Sequence, residues 1–170
     1  MDYKYYERKI NDIIMKCPIE AGIEILAYNI LDNIISSKEV VLVDINRIRK
    51  NRDDRLTTDA GIPDMAILSK DFKYKTTIGK VYGFVEVKAT NKHLSETLQI
   101  KCQKNFVQHY LYTNGLVWKY YENGNLKWTN ILASYKNKEC EIITTFHTIS
   151  INQEEFENLK YNLNKINWTN

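Results

Sequence analysis

In GIPDMAILSKDFKYKTTIGKVYGFVEVKAT, residues 61–90, two runs have the length and the β-branched, aromatic content of strands: IPDMAIL at 62–68 and KVYGFVEVKA at 80–89. The charged, glycine-ended segment between them, SKDFKYKTTIG, predicts a hairpin connection. Successive strand side chains point to opposite faces, so Val85, Val87 and Ala89 share one side and Glu86 and Lys88 the other. An acid and a base about 7 Å apart on one strand face are costly to bury without partners. Either they form a structural ion pair or they belong to a site that holds a metal ion and water. Pro63 cannot donate to a sheet ladder, so it marks a strand start or edge and sets Asp64 at the mouth of the neighbouring strand. Asp64 and Glu86 can then converge on one hard divalent cation, since Mg²⁺ takes a couple of carboxylates together with water and phosphate oxygens. Lys88 would hold a positive charge beside that ion.

The flanking sequence supplies the rest of a sheet and its helices. Residues 3–15 carry Tyr6, Ile10, Ile13 and Ile14 at helical spacing; residues 19–35, after Pro18, place Ile23, Leu26, Ala27, Ile30, Leu31 and Ile34 on one stripe. EVVLVDI at 39–45 predicts a strand. Ser95 is the expected N-cap of a helix running to about residue 106. HYLYTNGLVWKYYENGNLKW, from 109, alternates apolar and polar residues around Asn114-Gly115 and Asn123-Gly124, a signal for antiparallel strands. CEIITTFHTISI, from 140, predicts a further strand or pair, and QEEFENLKYNLNKI, from 153, a closing helix. The expected class is α/β in the α+β sense, a mixed β-sheet flanked by helices, with residues 1–170 in a single domain.

Composition narrows the function classes. Hydrophobic content of 44% with 26% charged residues is that of an ordinary folded domain. No run approaches the roughly 18 apolar residues of a membrane span, and the N-terminus lacks an apolar signal region, so no membrane partner and a cytoplasmic setting are expected. Cys17, Cys102 and Cys140 form no C-x-x-C pair and have no histidine at zinc-ligand spacing; they are expected to be buried thiols. No phosphate-binding G-x-x-x-x-G-K-[ST] loop is present. His93, His109 and His147 show no spacing for a proton relay, and Trp118, Tyr120, Tyr121 and Trp128 are expected to pack the sheet. Net charge is only +3, but RIRKNRDDR at 47–55 gathers Arg47, Arg49, Lys50, Arg52 and Arg55 into either a solvated loop or an arm that contacts nucleic-acid phosphates.

PD at 63–64, followed after a hairpin-length gap by EVK at 86–88, resembles the PD-(D/E)xK nuclease superfamily. IEAGIEILAYNIL, with a helical glutamate, and LQIKCQ followed by YLYTNGLVWKYY are similar to the nuclease domains of type I restriction motor subunits. The resemblance covers roughly residues 18 to 121. It implies a restriction-endonuclease-like fold and an Mg²⁺-dependent DNA endonuclease, with Mn²⁺ able to substitute, that hydrolyses phosphodiester bonds through a metal-activated water. It further implies that Asp64, Glu86, Glu20 and the Val87 carbonyl ligate the metal, and that Lys88 positions or deprotonates the attacking water. Glu24, one turn after Glu20, competes for the role of helical glutamate. Gln99 matches the family's helical glutamine, with Gln103 one turn away as its competitor. DNA is the implied partner, within a homodimer or larger restriction-type complex, in restriction, defence or a mobile element. The alternative is a catalytically inactive nucleic-acid-binding or accessory protein of the same fold.

Overall fold

The computed structural model describes residues 1–36, 38–47, 52–133 and 148–169. Helices α1 (Tyr3–Lys16) and α2 (Glu20–Ile35) lead into strand β1 (Val40–Asp44), a 3₁₀ turn at Asp54–Leu56, and strands β2 (Met65–Ser69) and β3 (Val81–Val87). Helix α3 (Leu98–Phe106), strands β4 (His109–Thr113), β5 (Val117–Glu122) and β6 (Asn125–Ile131), and helix α4 (Gln153–Lys165) follow. The strands form one six-stranded sheet in sequence order. All neighbours are antiparallel except β3 and β4, which run parallel because α3 carries the chain back over one face. The architecture is therefore α+β with a mixed sheet.

Each face has its own core. Val40, Leu42, Met65, Ile67, Val85, Val87 and Leu111 pack beneath the apolar stripes of α1, α2 and α4, including Ile10, Ile23, Ile30, Phe156 and Leu159. Ala66, Leu68, Phe84, Tyr110 and Tyr112 pack on the other face against Ile100 of α3 and against Leu56 and Leu94. Trp118, Tyr120 and Tyr121 are buried in these cores and Trp128 packs against them, as their alternation predicts. The β5–β6 turn has positive φ at both Asn123 (49°) and Gly124 (75°), the geometry that an Asn-Gly hairpin requires.

Four expectations change. The α3 cap is Thr97, whose hydroxyl accepts the Ile100 N–H at 3.3 Å, not Ser95. The segment expected as a strand from residue 140 lies outside the described residues up to 147, and residues 148–151 are not strand. There the side chains of α1 take the place of a sheet partner: the Ile149 N–H donates to Asn11 at 2.7 Å and the Ile151 N–H to Glu7 at 2.6 Å. Cys17 is exposed and Cys102 half-buried rather than both being core thiols, while Cys140 lies outside the described residues. Arg55 belongs to the scaffold. All five of its N–H groups are engaged, with both carboxylate oxygens of Asp53 and with the carbonyls of Lys73, Ile78 and Gly79 in the β2–β3 connection. Its guanidinium also lies 4.1 Å from the Phe72 ring centroid, so no donor remains for a phosphate.

Candidate functional site

The β2–β3 register sets Met65 opposite Val85, which brings Asp64 alongside the last turn of the β3 ladder. There the backbone pairing stops and the Asp64 side chain replaces it: Oδ2 accepts the Val87 N–H at 2.6 Å. A strand residue directs its N–H and C=O toward the same edge, so the Val87 carbonyl lies on the Asp64 side as well. Helix α2 begins at this end of the sheet. Glu20, its first residue, accepts the Ala89 N–H at 3.3 Å. One turn on, Glu24 accepts from the Asn46 amide at 2.7 Å. Carboxylate oxygens of Glu20, Glu24 and Asp64 lie within 4.8 Å of one another.

Glu86 reaches the same place from beneath α3. It is only 2% exposed. Its Oε1 accepts from the Lys88 ammonium at 2.6 Å and the Gln99 amide at 2.8 Å, while its buried Oε2 has no hydrogen-bond partner. The Lys88 ammonium also stands 3.9 Å from Glu20 Oε1, so it spans the strand end between the two acids. Gln103 is fully buried behind Gln99. Its Oε1 accepts the Tyr110 hydroxyl at 2.7 Å, which turns Nε2, a donor with no partner at hydrogen-bond distance, away from that ring.

The electrostatics follow from too many acids in too little water. Burial, then the charge of Glu86, pushes the Asp64 carboxyl up to about 8, although the Val87 N–H opposes this. Burial likewise raises Glu86 against the pull of Lys88 and the weaker pull of the Gln103 amide, which faces it from beyond ordinary hydrogen-bond distance. Glu24 is raised by burial and by its neighbours Glu20 and Asp44. Burial alone would lower Lys88, but Glu86, then Glu20 and Asp64, outweigh it and hold the ammonium above its ordinary range. A hard divalent cation suits this set: every donor is an oxygen and like charges crowd each other.

Asp64, Glu86, Lys88, Glu20, Gln99 and the Val87 backbone therefore meet at one end of the sheet. The tightest carboxylate group is nevertheless Glu20, Glu24 and Asp64; Glu86 stands behind it, occupied by Lys88 and Gln99. Glu20 and Glu24 both belong to the cluster, and of the two glutamines Gln99 donates to Glu86 while Gln103 lies behind it on Tyr110. Asn46 and Tyr110 carried no sequence signal, because their partners are 22 and 7 residues away and no motif links them. Of the basic arm, Arg47 and Arg52 are exposed, Arg49 and Lys50 lie outside the described residues, and Arg55 is consumed by the scaffold. Among the described residues no helix is long and apolar enough to cross a membrane. No family model, no curated protein and no solved structure matches the chain.

Proposed function

We propose that the chain is an Mg²⁺-dependent nuclease of restriction-endonuclease-like fold that hydrolyses DNA phosphodiester bonds. The observation that carries this reading is the meeting of Asp64 with the Glu86-Val87-Lys88 strand end, with Glu20 and Glu24 facing them from α2. Asp64, Glu20, Glu24 and the Val87 carbonyl would hold the cation, with Glu86 behind them. When bound, Mg²⁺ supplies Lewis acidity toward a phosphodiester oxygen and toward water. The chain's own residues divide the remaining work. Glu86 keeps Lys88 protonated, so the ammonium donates a hydrogen bond to the incoming water or to the charge developing on phosphorus. Gln99 fixes Glu86 so that Lys88 stays aimed along the strand end. A single site of this kind cuts one strand, so nicks are the expected product and a second copy or partner would be needed for a double-strand break.

Supercoiled plasmid incubated with the protein and Mg²⁺ should be nicked, and EDTA should stop the reaction. Lys88→Ala should lower the rate about 10²- to 10³-fold and Asp64→Ala at least as much. Undiminished cleavage by both variants would remove the assignment. Salt-sensitive DNA binding with no metal-dependent turnover would support the binding-only alternative instead.

A further inference from the structure

Beside the carboxylate cluster, between α2 and the edge strand β1, lies an open cavity of about 520 Å³. Its apolar lining includes Ile25, Tyr28 and Met65, and its polar lining is Glu24, Asn29, Asp44 and Arg47. Ile25 is 64% exposed, so its side chain is open to an occupant of the groove. The Tyr28 hydroxyl donates to the Leu42 carbonyl at 3.3 Å, so the ring is tethered across the groove rather than free in solvent. Glu24 belongs both to this wall and to the acid cluster, and Met65 directly follows Asp64. An occupant of the groove therefore touches the reacting centre.

We infer that this groove seats the base of an unpaired nucleotide adjoining the phosphate held at the acid cluster, which makes single-stranded or frayed nucleic acid the preferred substrate. The inference rests on the nuclease reading for the identity of its occupant. A phosphodiester at Asp64 carries a nucleoside on either side, so the neighbouring groove receives part of the same chain. The volume lies within the range of about 300 to 1,000 Å³ typical of small-ligand clefts, enough for one nucleoside and far too small for a duplex. Tyr28 and Ile25 line the groove with apolar surface on which any base can pack, and a base inside a duplex cannot reach them without unpairing. Arg47, exposed at the rim, complements the phosphate that follows the seated base, while Asn29 offers donors and an acceptor to its edge.

The test uses a short single-stranded DNA with one 2-aminopurine, and the same strand in a full duplex. Fluorescence is titrated with Ca²⁺ against the Asp64→Asn protein, where turnover is removed while a hard cation is still present to screen the remaining acids from the phosphate. Saturable quenching of the single strand, and little of the duplex, is expected. Adding Tyr28→Ala should weaken the apparent affinity about tenfold, Ile25→Gln should weaken it severalfold, and Tyr28→Phe should preserve it. Ile25→Gln changes an exposed residue and keeps good helix propensity, so it remains informative if Tyr28→Ala unfolds. Equal quenching of both probes, or quenching untouched by Tyr28→Ala and Ile25→Gln alike, would overturn the inference. Quenching with no Mg²⁺-dependent cleavage by the wild-type protein would sink the nuclease reading but keep the groove; cleavage without quenching would do the reverse.

Discussion

Asp53–Arg55 and Glu86–Lys88 are both acid–base pairs two residues apart, and both acids are buried, yet they end in opposite states. Asp53 is fully satisfied. It accepts from Arg55 and from the backbone of Lys75, a residue held at φ 58°, and these bonds carry its pKa down to about 2 against the effect of burial. Glu86 keeps an oxygen without a partner, and its pKa moves up. The difference lies in what surrounds each pair. Around Arg55 three backbone carbonyls complete the donors, whereas around Glu86 the carboxylates of Glu20 and Asp64 crowd in and, among the described residues, the Lys88 ammonium is its one ion-pair partner. A pair that is complete on its own stabilises the fold; a pair left with surplus negative charge is, on the proposed reading, completed by a cation.

The largest effect that could break this contrast is on activity. Asp64→Asn should lower plasmid nicking about a thousandfold while raising the thermal midpoint at pH 8, because it deletes one of the crowded charges and keeps an acceptor for Val87. A fall in both activity and midpoint would place Asp64 with the structural pair. Next, Arg55→Ala should cost about 2 to 3 kcal/mol in urea unfolding, by stranding Asp53 and three carbonyls, with cleavage slowed only severalfold, far less than by Asp64→Asn.

The pH dependence of stability sharpens the comparison further, because the two acids have opposite signs. Asp64 is raised from 3.8 to about 8 in the folded chain, so its contribution is fully present below about pH 4 and is lost as pH rises through 8. Asp53 is lowered from 3.8 to about 2, so its contribution is present above about pH 4 and is lost as pH falls through 2. In metal-free urea titrations, Asp64→Asn should therefore remove an alkaline decline, and Asp53→Asn an acid-side decline. Identical pH profiles for the two variants would erase the distinction. The smallest effect is expected for Tyr110→Phe. Losing the hydrogen bond to Gln103 should cost about 1 kcal/mol, and because the freed amide can turn, nicking should slow severalfold while folding stays intact.

Local chemistry made most of the fold legible. The two strands around residues 61–90, both Asn-Gly turns and the helical stripes depend on neighbours in sequence, and each lies where its pattern placed it. Contacts at long range did not announce themselves. Nothing in RIRKNRDDR shows that Arg55 is fully engaged, since Asp53 is its one local acceptor and the three carbonyls that complete it come from residues 18 to 24 positions away. The same holds for residues 148–151, whose N–H groups are taken by side chains more than 130 positions earlier. At the site, the motif located Asp64, Glu86 and Lys88. The part played by Glu24 depended on Asn46 and on the pitch of α2 against the sheet end, which no spacing rule conveys.

The connection held by Arg55 joins the two strands that present Asp64 and Glu86, so the finished pair governs the unfinished one at a distance. Gly79 shows how tightly that connection is folded: at φ 81°, any side chain there would meet the Phe72 backbone at 2.3 Å. If the loop relaxed and the hairpin slipped by a single position, the side chains of β3 would exchange faces. Val87 would then face α3, and Glu86 would face the apolar core beneath α2. A guanidinium at the far end of the hairpin thus acts as a ratchet pawl, keeping the strand from advancing one tooth and carrying its charges to the wrong side.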